Sequence, residues 1–181
     1  SVFARASVLG VLPEGQWQTV TAFQGFRNGE WAPQCEPGAE WDRILTSGRR
    51  LFVVGGGDAS RPGLDQKTYV WAENNRPRGI ADGLRNGGAY IAQADGIHID
   101  FRVNGSPMGA TVPVSQEAYI RLRASARHPI SRVLLVSDGE VVWTAHPDVS
   151  MWEDRLFLPV ADRSYLRVIL ESEDGAYRTV G

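Results

Sequence analysis

From Ile97 onward the chain alternates with a period of two: Ile97, Ile99, Phe101 and Val103 are apolar, and His98, Asp100 and Arg102 between them are polar. Successive side chains on a strand point to opposite faces, so this pattern gives one buried and one wet face, as in an antiparallel sheet. Further β-prone segments follow at short intervals, over 118–124, 133–137, 141–145, 155–160, 165–171 and 177–180. Asp138-Gly139 and Asp174-Gly175 fall between pairs of these segments. Asp-Gly suits the two-residue hairpin turn, in which both central residues need positive φ. Residues 96–181 are therefore expected to form an all-β, immunoglobulin-like sandwich of about seven strands.

Upstream the periodicity differs. Residues 16–23 are β-prone, and a turn-rich loop with Asn28-Gly29 and Pro33 ends at Pro37. Trp41, Ile44 and Leu45 then recur at helical spacing, and Gly48 stands where a helix end favours positive φ. Leu51 to Val54 is an apolar run without alternation, which reads as a strand buried on both faces. A strand over 67–72, a helix over 77–85 with Ile80 and Leu84 inward, and a strand over 88–92 complete the segment. Strand-helix-strand order implies parallel pairing. Residues 1–95 are thus expected to be an α/β domain, with a boundary near residue 95.

The bulk numbers narrow the function classes. With 181 residues, 43% hydrophobic and 22% charged, the chain can bury a core. A net charge of -2 with mixed signs leaves no basic face for nucleic acid and no basic amphipathic stretch for a membrane surface. No apolar run approaches the roughly 20 residues that span a bilayer. Cys35 is the only cysteine, so an internal disulfide is impossible, no thiol cluster could hold zinc, and a reducing, cytoplasmic location is the expectation. The chain opens at Ser1 and not at methionine, which leaves room for a segment upstream.

The candidate for chemistry is the turn Gly55-Gly56-Gly57-Asp58, directly after the buried strand. Three glycines let the backbone turn sharply and bring a carboxylate close to a ligand or metal, and the alternative is a tight turn in which Asp58 caps the next segment. The stretch Glu40-Trp41-Asp42-Arg43-Ile44-Leu45, then Gly48-Arg49-Arg50, then Val53-Val54-Gly55-Gly56-Gly57-Asp58-Ala59-Ser60 resembles the last motif region of the PHP-type (polymerase and histidinol phosphatase) metallohydrolases, CehA/McbA-like branch. Thr68 to Ala72, Ile80 to Gly87 and Ala89 to Ile91 are similar to the elements that follow it, and many members carry a β-sandwich next.

The resemblance implies a partial, distorted (β/α) barrel whose strand ends would gather ligands around divalent metals (Zn, Mn or Fe) that activate water for attack on a phosphate or other ester. It makes Asp58 a metal ligand and places Ser60 where the family has a histidine, a poor exchange at such a metal. The family's His-x-His pair is absent, and His98, His128 and His146 all fall in the sandwich region. Two readings follow. In one the chain is the C-terminal part of a metal-dependent phosphoesterase, with the missing ligands supplied from outside this chain by an N-terminal barrel half or a second copy. In the other it is a non-catalytic binding or structural module, a degenerate remnant plus sandwich that binds carbohydrate or protein. Trp17, Trp31 and Trp152 are the residues to inspect for an aromatic platform, whereas Trp41, Trp71 and Trp143 read as packing residues.

Overall fold

The computed structural model describes residues 2–5, 20–24, 26–27, 30–31, 35–55, 67–93, 96–114, 116–172 and 178–181. Near the N-terminus, β1 (Val2–Arg5) pairs parallel with β2 (Val20–Gln24), and β2 pairs parallel with β5 (Phe52–Val54), giving a three-stranded sheet. Between β2 and β5 lie the two-residue strands β3 (Phe26–Arg27) and β4 (Glu30–Trp31), paired with each other, and helix α1 (Glu40–Thr46). The helix ends as its sequence indicates: Gly48 takes φ 81° and its N–H donates to the Leu45 carbonyl at 2.9 Å.

The expected partial (β/α) barrel is not what forms. Strand β6 (Lys67–Val70), helix α2 (Pro77–Arg85) and strand β7 (Ala89–Ala92) do follow in that order, but β6 and β7 pair antiparallel, with Val70 opposite Ala89. The Trp71 N–H continues the ladder to the Gly88 carbonyl at 2.7 Å, so α2 is a helical excursion inside a hairpin connection and not a crossover. Strand-helix-strand order dictates parallel pairing only when the helix carries the chain back along the sheet, and α2 instead returns it to the end it left. The inward side of α2 is also weaker than its spacing implies, for Ile80 is 38% exposed.

The remaining strands build the sandwich. β8 (His98–Val103), β9 (Ser106–Pro107), β10 (Glu117–Ile130) and β13 (Val149–Pro159) form a four-stranded sheet in the order β13-β10-β8-β9. The six-stranded sheet runs β12-β11-β14-β15-β7-β6, with β11 (Arg132–Ser137), β12 (Glu140–Ala145), β14 (Arg167–Glu171) and β15 (Arg178–Val180). All pairs in both sheets are antiparallel. The six-stranded sheet crosses the boundary expected near residue 95, since β6 and β7 supply its far edge.

The core fills the space between the sheets as the alternation requires. Ile99, Ile120 and Leu122 from one sheet, with Ile97 just before β8, meet Val133, Leu135, Val168 and Leu170 from the other, all at 0–1% exposure. Burying each such side chain contributes about 1.5–3 kcal/mol. The β11–β12 hairpin turns on Asp138 (φ 51°) and Gly139 (φ 83°), the double positive φ that Asp-Gly signals in the sequence. The second Asp-Gly, at 174–175, lies outside the described residues.

One buried cluster ties α1 to the sandwich. Arg167, at the start of β14, donates to Asp42 on α1 through Nε (2.7 Å) and Nη2 (2.8 Å), and the two side chains are 2% and 1% exposed. The Gly38 N–H adds a third donor to Asp42 at 2.8 Å. The guanidinium lies over the Trp41 ring, 4.9 Å from its centroid, while the Trp41 indole N–H donates to the Leu51 carbonyl at 2.8 Å. Beside it, Glu36 holds Arg178 in a two-point ion pair.

Candidate functional site

Asp58 and Ser60, on which the metal-site expectation rests, lie outside the described residues. Among the described residues no group of three or more His, Cys, Asp or Glu is arranged to hold a metal ion. The three histidines are dispersed. His98 stands on the wet face of β8, His146 is exposed between β12 and β13, and His128 sits within β10. The ladder of β10 to β13 shifts register between Ser125 and Ile130, a bulge that accommodates His128-Pro129 inside a strand.

The tryptophans form no common platform among the described residues. Trp17 lies outside them, as does the Trp31 side chain. Trp152 is half-buried and stacks on Trp143 with ring centroids 6.0 Å apart, both packed against the core. Trp71, read as a packing residue, is 48% exposed, and its indole N–H donates to the Ile99 carbonyl at 3.2 Å. Cys35 is fully buried, and burial above all pushes its thiol up to about 12. It is protonated at neutral pH and inert as a nucleophile.

What the fold does assemble is a half-open cavity of about 410 Å³ where α1 and β5 face one end of the sandwich. That volume falls within the range of small-ligand pockets. Its walls are mainly apolar, with Leu45 from α1, Phe52 from β5, Val103 from β8, Met108 and Val112 from the segment after β9, and Leu166 just before β14. Leu51, Phe52 and Val53 all line the cavity, and Leu51 and Val53 are each 2% exposed while Phe52 is only half-buried, so the run expected to be buried on both faces is not buried throughout. Gly87 completes the wall at a point where no larger residue fits. Its φ is 74°, and a Cβ there would lie 2.0 Å from the Phe52 ring.

The polar part of the lining is unusual in sign. Arg49, Arg50, Arg163 and Arg167 all line the cavity, and among its described lining residues there is no aspartate, glutamate, lysine or histidine. Two of the four are matched by acids outside the cavity: Arg167 by Asp42, and Arg163 by Glu140 (3.5 Å) and Asp138 (3.7 Å). Arg50 lies 5.4 Å from the Phe52 ring centroid and donates only to neutral carbonyls, those of Gly109 and, at 3.3 Å, Asn86. Arg49 is half-buried and makes no hydrogen bond or ion pair among the described residues. The Nη1 of Arg167 is buried without a hydrogen-bond partner. Tyr165, also in the lining, has its hydroxyl raised well above the usual phenol range by burial first and then by its hydrogen bond to Asp42. The walls can therefore hold a ligand and donate hydrogen bonds to it, and no described lining side chain can accept a proton at neutral pH.

No signal in the sequence marked this cavity. Gly48-Arg49-Arg50 stood out only as part of a motif, and the partners Asp42 and Arg167 are 125 residues apart. No helix among the described residues is long and apolar enough to cross a membrane. No family model, curated protein or solved structure matches the chain.

Proposed function

We propose that this chain is a non-catalytic binding module whose site is the cavity between α1, β5 and the end of the sandwich. The observation that supports the reading most is the lining itself: an apolar hollow of about 410 Å³ carrying hydrogen-bond donors, with no carboxylate, imidazole, amine or thiol side chain among its described lining residues to act as general base or to activate a hydroxyl. A site of this composition gains affinity by removing apolar ligand surface from water and uses its polar groups for orientation. The buried tie between Asp42 and Arg167 keeps α1 against the sandwich and so keeps the hollow open before a ligand arrives. The metallohydrolase reading rests on Asp58 and Ser60, and none of the described residues adds to it. A single buried thiol, Cys35, suits a reducing compartment such as the cytoplasm.

The test is a fluorescence titration with N-phenyl-1-naphthylamine, a neutral dye that brightens in apolar surroundings. Its roughly 17 non-hydrogen atoms at about 0.3 kcal/mol each give about 5 kcal/mol, a Kd on the order of 100 µM or tighter. Val112→Trp, which fills the cavity from the segment after β9, should abolish the signal while circular dichroism stays native. Equal brightening in the two proteins would place the dye elsewhere and defeat the reading.

A further inference from the structure

We infer that the ligand of this cavity is an anionic amphiphile, an apolar body bearing one oxyanion group such as a carboxylate, sulfate or phosphate. The inference rests on the reading of the cavity as the binding site and adds the charge of what it takes.

Four arginines line one apolar hollow, and acids among the described residues neutralise two of them. Arg50 satisfies part of its donor set with the carbonyls of Gly109 and Asn86, which carry no charge. Arg49 has no described partner although it is half-buried, and Arg167 keeps one buried N–H group, Nη1, without an acceptor. Buried or half-buried donors that lack acceptors are costly, and an orphan on a 2% exposed arginine needs a reason. A planar guanidinium presents paired N–H groups that match the two oxygens of an oxyanion. A cationic ligand would meet Arg49 and Arg50, two guanidinium groups that no acid among the described residues offsets, so the field selects for negative ligands. The apolar walls exclude a bare inorganic anion as the preferred occupant, because such an ion would lose its hydration against Phe52, Val103 and Met108 and gain nothing from them.

The matched pair that tests this is 8-anilinonaphthalene-1-sulfonate and N-phenyl-1-naphthylamine, which share an aromatic body and differ by the sulfonate. The sulfonate dye should bind about tenfold tighter, the worth of one charge-assisted contact. The preference should shrink as sodium chloride rises from about 20 to about 500 mM, as screening requires. Arg49→Gln should bring the affinity ratio of the two dyes close to one, with an unchanged melting temperature showing that the fold is intact. Arg123→Gln, on the outer face of the four-stranded sheet, should leave the ratio as in the parent. Sodium decanoate and sodium decyl phosphate are then used as competitors, and the stronger names the oxyanion. If the neutral dye binds and the sulfonate dye is no tighter, the inference fails and the binding reading stands. If neither dye binds, the binding reading itself fails. Displacement of the sulfonate dye by inorganic phosphate as readily as by decanoate would overturn the amphiphile assignment.

Discussion

Removing the carboxylate of Asp42 should be among the most damaging single changes to this protein. The carboxylate accepts from Arg167 Nε at 2.7 Å, Arg167 Nη2 at 2.8 Å and the Gly38 N–H at 2.8 Å, and it takes the Tyr165 hydroxyl as well. Asp42→Ala leaves a 2% exposed guanidinium with no counter-ion, and its Nη1 is already without a partner. Breaking a buried pair from one side costs about 3–5 kcal/mol, because the remaining charge stays out of water. For a domain of this size that lowers the melting temperature by about 10 °C or more. The double variant Asp42→Leu, Arg167→Met removes both charges and keeps apolar volume, and it should cost no more than about 2 kcal/mol. Urea unfolding followed by circular dichroism reads both, with an unchanged m-value showing that the same surface is exposed. A cost below about 1 kcal/mol for Asp42→Ala, or a double variant as damaged as the sum of its singles, would refute the view that this pair is desolvated and coupled.

Other expectations follow from single contacts. Gly87→Ala should cost about 2–5 kcal/mol in urea unfolding, combining the left-handed backbone with a Cβ 2.0 Å from Phe52, and it should also weaken dye binding through the displaced Phe52 wall. Cys35, with its thiol pushed up to about 12, should react with 5,5′-dithiobis-2-nitrobenzoate at pH 8 at least about a hundredfold more slowly than in urea, as followed by the absorbance of the released thiolate. Burial raises Cys35 from 9.0 and Tyr90 from 10.0, each to about 12. The native state thus holds protons that the unfolded chain releases, so their contribution to stability is complete below pH 9 and is lost between about 9 and 12. Cys35→Ala should flatten that fall in an alkaline unfolding series. Leu122→Ala, at 0% exposure between the sheets, should cost about 2–5 kcal/mol.

Much of the sandwich was legible because its cues are local. Alternation at Ile97, Ile99 and Phe101 marks β8 and its buried face, Asp138-Gly139 marks a turn with two positive φ values, and Gly48 marks the end of α1. The pairing of β6 with β7 was not legible, since the order strand, helix, strand reads the same for a crossover as for a helix set inside a hairpin. Only the ladder from Val70 opposite Ala89 distinguishes them. That reversal carried β6 and β7 into the sandwich and removed the barrel. The cavity was illegible for a different reason. Its walls come from α1, from strands as far apart in the chain as β5, β8 and β14, and from several connecting segments, and its charge balance depends on Asp42 meeting Arg167 across 125 residues of chain. Composition records only a net charge of -2, whereas four arginines, two of them matched by acids that lie outside the cavity, gather in one lining.

The most direct measurement is a crystal structure of the chain grown with 8-anilinonaphthalene-1-sulfonate. Binding as described puts the naphthalene ring between Phe52 and Met108 with the sulfonate within hydrogen-bond distance of Arg49 or of Arg167 Nη1. A native fold with the cavity empty, or with the dye bound only at the outer face of a sheet, would contradict it.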